Sequence, residues 1–211
     1  MGLYIAGGVW TLVFLRHCAL LSAAGTVDAV CAVGDSENDL TPLSQDDVES
    51  SILIKAIAGG GGRGTRLVTS RADVREAFAR CQAEASVAFG CADLYVEEFL
   101  PQARHIEIQI IGDALGSIIE LGERECSVQR RNQKVIEIAP SPNLSQSLRQ
   151  DITASAIRLA KAQGYFSLGT FEFLVDMSSA GPRFFFIEAN ARLQVEHTVT
   201  EEVMDVDLVR S

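Results

Sequence analysis

Positive charge is the first shortage in this 211-residue chain: 18 Lys plus Arg stand against 28 Asp plus Glu, a formal net charge of -10. A surface this acidic repels a phosphate backbone, which argues against general nucleic-acid binding, and an anionic ligand has to be held by a local cluster of cations. Paired cysteines are the second shortage. Cys18, Cys31, Cys81, Cys91 and Cys126 are odd in number and scattered, and none forms a CxxC pair. Neither a disulfide framework nor a zinc site is suggested, and a reduced, cytoplasmic setting is the simpler expectation. Long apolar runs are the third. Residues 3–15 are apolar except for Thr11, but Arg16 and His17 then interrupt the run. It falls short of the ~20 residues of a membrane-spanning helix. It also lacks the leading positive charge of a signal peptide. No membrane association is expected, and the run reads as a buried strand or helix.

What remains is ordinary globular sequence, 47% apolar and 22% charged, long enough for one large domain or two small ones. Residues 1–50 carry the least pattern. Gly34-Asp35-Ser36-Glu37-Asn38-Asp39 resembles the GDxxND loop of haloacid-dehalogenase phosphatases. That family also needs an upstream DxD nucleophile motif, and Asp28 is the only earlier Asp. The segment therefore reads as a polar loop or linker, with Pro42 and its Asp, Ser and Asn neighbours as turn formers.

From residue 51 the pattern sharpens. Ile52-Leu53-Ile54-Lys55 is a short apolar run ending in a cation, followed by Gly59-Gly60-Gly61-Gly62-Arg63-Gly64. Consecutive glycines let backbone amides approach an anion, and Lys55 and Arg63 add charge. The spacing is neither that of a Walker loop nor that of a Rossmann fingerprint, so a phosphate loop and a plain hairpin tip both stay open. Ser70 has the form of a helix N-cap, Val74, Phe78, Cys81 and Ala85 follow at helical spacing, and Gly90 fits the stop. Residues 94–100 read as a strand. Residues 104–111 alternate strictly, with Ile106, Ile108 and Ile110 on one face and His105, Glu107 and Gln109 on a polar one. A turn at residues 112–116 leads back into a strand over 117–121. Residues 123–134 are dense with hydrogen-bonding side chains and carry four cations, suited to gripping an anion or, alternatively, to forming a solvated loop with local ion pairs. Leu148, Ile152, Ala156 and Leu159 mark a second amphipathic helix, closed near Gly164.

The sharpest inference concerns a hairpin. Residues 168–175 and 183–190 are rich in Phe, Val, Ile and Leu, and the loop between them contains Ser, Gly and Pro. A hairpin symmetric about residue 180 places Glu172 opposite Glu188, each flanked by apolar residues. Two carboxylates directly opposite destabilise a sheet unless something neutralises them, and a divalent cation would do so. Two solvent-facing acids on an amphipathic hairpin are the alternative. Beyond the hairpin, Glu188, Asn190, Arg192, Gln194 and Glu196 alternate, so an extended chain would line them along one ridge, with Asn190 beside the cation, Arg192 on an anion and Glu196 as a base.

Taken in order, the motifs IKAIAGGGGRG, EEFLPQARHIEIQI, ERECSVQRRNQKVIEIAPSP, GTFEFL and FIEANARLQVEHTVTE make the chain resemble the nucleotide-binding part of a biotin carboxylase, of the ATP-grasp superfamily, from about residue 52 to residue 209. The resemblance implies an α+β ATP-grasp fold, with residues 1–50 a poorly matched segment and linker, 51–99 a lid subdomain carrying the glycine loop, and 100–211 a central antiparallel-sheet subdomain. It implies ATP, Mg²⁺ or Mn²⁺ and carrier-bound biotin as cofactors. Lys55, Gly60, Gly61, Gly62, Arg63 and Gly64 would close over ATP. Glu97, Leu100 and Leu174 would surround adenine and ribose, and His105, Gln129 and Lys134 would contact ribose or phosphates, Lys134 also serving catalysis. Glu172, Glu188 and Asn190 would hold the metal. Arg192, Gln194 and Val195 would bind bicarbonate, with Arg192 and Glu196 catalytic and Glu196 deprotonating it.

The implied partners are a biotin carrier and a carboxyltransferase, the carrier lying elsewhere because no AMKM biotinylation motif is present. The resemblance also implies a chain shortened at both ends, without the family's N-terminal Rossmann-like domain or the C-terminal arginine that contacts biotin and bicarbonate. Ile57, Thr65 and Glu98 depart from the family's usual residues. Three functions are carried forward: an ATP-grasp carboxylase or its catalytic fragment, a nucleotide-binding module without turnover, and a phosphatase built on Asp35 and Asp39. The acceptor downstream and the oligomeric state are left open.

Overall fold

The structure is a computed structural model that describes residues 52–59, 64–130, 133–177 and 182–210. The readings placed on residues 1–50, and those on Gly60, Gly61, Gly62 and Arg63, lie outside the described residues. The chain divides into two compact units, one ending at Pro101 and the other running from Gln102.

The first unit holds a three-stranded antiparallel sheet of order β2-β1-β3, with β1 at Ile52–Ala56, β2 at Thr65–Val68 and β3 at Leu94–Glu98. Helix α1, Val74–Phe89, packs Phe78, Cys81 and Ala85 against Ile52, Ile54, Val68, Leu94 and Val96. The expected helical spacing therefore marks the buried face, and Gly90 ends the helix with its N–H on the Ser86 carbonyl. The helix start differs from expectation. Ser70 Oγ accepts from the Ala72 amide of a 3₁₀ turn, Arg71–Asp73, and α1 begins only after it.

The second unit is a five-stranded antiparallel sheet of order β6-β5-β4-β7-β8. Its strands are β4 (Ala103–Gly112), β5 (Ile118–Arg130), β6 (Gln133–Ile138), β7 (Ser167–Asp176) and β8 (Arg183–Asn190), accompanied by helices α2 (Gln146–Ala162) and α3 (His197–Met204). Ile106, Ile108, Ile110, Phe171 and Phe173 form one buried face of the sheet, and Ile152, Ala156 and Leu159 of α2 are buried with them. Ser145 caps α2 by accepting from the Leu148 amide. Phe171 and Phe173 both meet Phe186 edge-on or tilted, 6.2 and 5.6 Å between centroids.

Two expectations are corrected here. The face of β4 expected to be polar is not a solvated one: Glu107 and Gln109 are as buried as the isoleucines, because β4 is the central strand. Residues 123–130 are not a loop either. They continue β5, and β6 pairs with them antiparallel.

Two register shifts decide which side chains meet. Between the pairs Ile108↔Glu123 and Ile110↔Glu120, Leu121 and Gly122 together oppose Gln109. Gly122 takes φ 77° at this bulge, a conformation that favours glycine. Because side chains alternate, the extra residue brings Arg124 rather than Glu123 opposite Glu107. On β8, Phe186 faces Phe173 while Glu188 faces Glu172, so Ile187 is the extra residue there.

Candidate active site

The registers build one charged row across four strands: Arg124 on β5, Glu107 on β4, Glu172 on β7 and Glu188 on β8, each the Cα partner of the next. Glu172 and Glu188 both accept hydrogen bonds from Asn190 Nδ2, at 2.6 and 2.9 Å, which places them on the same face of the hairpin as expected. They differ in setting. Glu172 is 3% exposed, whereas Glu188 is open to solvent.

Buried carboxylates this close need cations. Lys134 reaches in from β6, its Nζ 2.5 Å from Glu107 Oε2 and 3.6 Å from Glu172 Oε1, and it also pairs with Glu196. Arg124 has no exposed side-chain surface and donates from Nε to Glu107 Oε1 at 2.5 Å. Its remaining nitrogens donate to Gln109 Oε1 at 2.9 Å, Thr200 Oγ1 at 2.6 Å and Thr170 Oγ1 at 3.3 Å. His105 Nε2 lies 2.7 Å from Glu172 Oε2, and its Nδ1 lies 2.8 Å from Gln129 Nε2. Gln129 Nε2 also donates to the Cys126 carbonyl at 2.9 Å, which fixes that amide as the donor. His105 Nδ1 is then the acceptor and Nε2–H donates to Glu172, the tautomer that serves both partners.

The charges favour the ionised forms of the site's carboxylates and of its ammonium. Burial pushes the Glu172 carboxyl up. The hydrogen bond from His105, the charge of Lys134 and the Gln194 amide outweigh it and hold Glu172 down at about 2. Burial likewise works to raise Glu196, and the Lys134 hydrogen bond overcomes it, so Glu196 is lowered. Lys134 meets the reverse balance: burial alone would lower it, but Glu172 and Glu107 raise it, and the ammonium stays charged. Burial pushes the Cys126 thiol up, with Glu107 acting in the same direction, so this cysteine stays protonated.

The alternating ridge is corrected. Strand β8 stops at Asn190, and the chain turns at residues 195–196 to enter α3. Side chains therefore reach the site from a loop rather than along a strand. Gln194 Nε2 donates to Glu172 Oε1 at 3.3 Å, Glu196 pairs with Lys134, and Arg192 is exposed with one nitrogen on the Leu193 carbonyl. The Val195 side chain is exposed. Gly169 on β7 lets the backbone close up behind this loop. A Cβ there would overlap the Tyr165 hydroxyl and stand 2.7 Å from its Cζ and 3.0 Å from the Asn190 carbonyl.

In the first unit, Lys55 on β1 forms an ion pair with the buried Glu97 on β3. Leu100 follows that strand and is half-buried. Leu174 is half-buried opposite His105 on the β4–β7 ladder.

The residues that sequence reasoning did not assign are Glu107, Gln109, Arg124, Thr170 and Thr200. Their signal was present in part: Glu107 and Gln109 share the alternating set with His105, and Arg124 lies in the cation-rich segment. Only the bulge at Gly122 shows that Arg124 meets Glu107.

The donor set suits a divalent ion. Two anionic oxygens, from Glu172 and Glu188, already converge on one electropositive atom, Asn190 Nδ2. Turning that amide over offers Oδ1 as a third oxygen, and oxygen donors with a couple of carboxylates are what Mg²⁺ takes. His105, Glu107 and Glu172 also gather their ligand atoms within 4.8 Å. That group is the poorer host, because Arg124 and Lys134 already occupy both oxygens of Glu107.

A family model described as the carbamoyl-phosphate synthase L chain, ATP binding domain, matches residues 22–211, reaching further back than the motifs themselves. A solved biotin carboxylase from Campylobacter jejuni, described as a β-γ-ATP complex, superposes with a TM-score of 0.84 at 39% identity over 93% of this chain and 44% of that one. The chain belongs to the biotin carboxylase family of ATP-grasp proteins. A biotin carboxylase domain of 2-oxoglutarate carboxylase from Hydrogenobacter thermophilus, described in complex with MgADP, ADP and bicarbonate, gives a TM-score of 0.82 at 38% identity, over 92% of this chain and 43% of that one. Pyruvate carboxylase 1 of Caenorhabditis elegans is 55% identical over 160 residues, 76% of this biotin carboxylase chain and 13% of the relative. The chain therefore spans about an eighth of the length of that relative. Among the described residues, no helix is long and apolar enough to cross a membrane.

Proposed function

We propose that this chain is the ATP-using part of a biotin-dependent carboxylase, which makes carboxyphosphate from MgATP and bicarbonate and passes CO₂ to N1′ of biotin on a carrier. The observation that carries the reading is the Lys134 ammonium set among Glu107, Glu172 and Glu196, with His105 and Asn190 on the same Glu172. The names of the relatives favour a pyruvate carboxylase as the setting over an acyl-CoA carboxylase.

The roles of Glu196, Lys134, Arg192 and the acidic row rest on positions described above, and that of the loop Gly60 to Arg63 on its sequence motif. Glu196 is ionised at neutral pH, so it can accept the proton of bicarbonate, and the Lys134 charge beside it stabilises the anion that results. Arg192 is free to swing onto bicarbonate, with Gln194 and Val195 forming the turn around it. The bicarbonate oxygen attacks the γ-phosphorus, and the bond from that phosphorus to the ADP oxygen breaks. Carboxyphosphate then parts into CO₂ and phosphate, and that phosphate takes the N1′ proton as the nitrogen bonds to CO₂. A divalent ion would be held by Glu172, Glu188 and Asn190 and would supply the charge neutralisation that phosphoryl transfer needs. Lys55, Glu97, Leu100, His105, Gln129 and Leu174, with the loop Gly60 to Gly64, are assigned to the nucleotide. Residues 51–99 are assigned to the lid subdomain and 100–211 to the central one. The carrier and carboxyltransferase are assigned as partners. The cytoplasm is kept as the compartment because Cys81, Cys91 and Cys126 are free thiols, and the relatives named mitochondrial extend the same reading to that organelle.

The test has two arms. A thermal melt with MgATP should rise above the melt without it, since a ligand that binds only the folded state raises the midpoint. ADP release should then require bicarbonate and increase with free biotin. A raised midpoint without bicarbonate-dependent ADP release supports instead a binding module without turnover. No rise with MgATP would overturn both.

A further inference from the structure

We infer that Arg124 is a positioning residue that holds the Lys134–Glu196 pair in register from both sides. This inference rests on the functional reading above and adds to it a residue remote from the ligands.

Arg124, on β5, touches no solvent, and its side chain is tied to four acceptors on three other elements: Glu107 and Gln109 on β4, Thr170 on β7 and Thr200 on α3. Two of these bonds point at the reacting pair. Glu107 gives one oxygen to Arg124 and the other to Lys134, so the carboxylate cannot turn without breaking a charge-assisted bond, and the ammonium is held with it. Thr200 stands four residues beyond Glu196, one helical turn along α3, so its bond to Arg124 ties down the turn from which Glu196 projects. A guanidinium performs both tasks because its donors form a rigid planar fork, which an ammonium cannot reproduce.

Neutralising Glu107 is the simpler role for a buried Arg, and a double variant separates the two. Arg124→Met alone leaves the buried Glu107 with Lys134 as its one cation and should lower the melting midpoint. Combining it with Glu107→Gln removes that charge, so the midpoint should recover and the MgATP-induced rise should match that of the parent chain. Turnover should not recover, and it should lie below that of Glu107→Gln alone, which keeps the guanidinium and its bond to Thr200. Bicarbonate-dependent ADP release should stay down by roughly a hundredfold in kcat, as misplacement of a catalytic pair by about an ångström would cause, with KM for ATP little changed. A crystal structure of the double variant should show Lys134 Nζ parted from the Glu196 carboxylate. Thr200→Val, nearly isosteric, removes only the α3 tie and should give a smaller kcat loss in the same pattern should the double variant fail to fold.

Recovery of kcat together with the midpoint, or a crystal structure with Lys134 and Glu196 still hydrogen-bonded in either variant, overturns the inference. The structural arm decides it without turnover. A parent chain that binds MgATP yet releases no ADP with bicarbonate sinks the carboxylase reading and leaves this result standing.

Discussion

Glu107 and Glu172 are direct partners across the β4–β7 ladder, both buried, with Lys134 Nζ 2.5 Å from one and 3.6 Å from the other. Two like charges so placed would force strands apart in a protein without compensation. Here the flanks are cationic or donor groups: Arg124 beyond Glu107, and His105 and Asn190 beside Glu172. The site is therefore a balance of charge, and disturbing one member should be read in the others.

Glu172 sets an acid limit on stability. Its folded-state carboxyl lies at about 2 against an ordinary 4.5, so its contribution is fully present above 4.5 and disappears as pH falls through 2. That shift corresponds to about 3 kcal/mol. Chemical denaturation at pH 6 and at pH 2.5 should show a steep loss for the parent chain and a smaller one for Glu172→Gln, which has no carboxylate to protonate. Equal losses would contradict the assignment.

Lys134→Met should invert part of that dependence. Without the ammonium, Glu107 and Glu172 are short of a counter-charge, and breaking a buried pair in this way costs ~3–5 kcal/mol. Protonating one of the two then relieves the repulsion. The melting midpoint of the variant should rise on going from pH 7 to pH 5, whereas that of the parent chain should not.

Glu188 is exposed, so its removal should spare the fold and expose the ion-binding role by itself. For Glu188→Gln, the midpoint without ligand should stay within a degree or two of the parent chain. The Mg²⁺ concentration needed for half of the MgATP-induced rise should increase by about tenfold or more. An unaltered Mg²⁺ dependence, or ADP release at the parent rate, would remove Glu188 from the metal site.

Gly122→Ala tests the bulge. No atom lies within 4 Å of a Cβ built there, so crowding is absent and the cost is the positive φ alone, about 1 kcal/mol. The chain can escape that cost by shifting register, which would put Glu123 opposite Glu107. Loss of activity out of proportion to a one-kcal/mol drop in stability is the expected outcome.

The thiols should divide by burial. Burial raises both Cys81 and Cys126, which should resist alkylation at pH 8 until the chain is denatured. Cys91, only half-buried, should react in the native state. Mass spectrometry of peptides labelled before and after denaturation distinguishes these cases.

Features that depend on local period and residue type were legible before folding. The helical spacing of Phe78, Cys81 and Ala85 and of Leu148, Ile152, Ala156 and Leu159 named the buried faces of both helices. The order of the motifs named the family. The pairing of Glu172 with Glu188 was also legible, though symmetry about residue 180 reached it by a shorter route than the chain does. The rungs next to the loop follow a register one residue different, and the extra residue Ile187 restores the match at Glu172. Tertiary structure decided the rest. That the polar face of β4 is interior follows from its place as central strand, which alternation along one strand cannot reveal. Arg124 meets Glu107 because of a single-residue bulge, and a slip of one residue sends every later side chain to the opposite face. Lys134 arrives from a strand added at the sheet edge, and Glu196 from a turn where an extended chain was expected. The reason is physical: period is a property of neighbours in the chain, whereas charge neutralisation is settled among groups that only the folded sheet brings within a few ångströms.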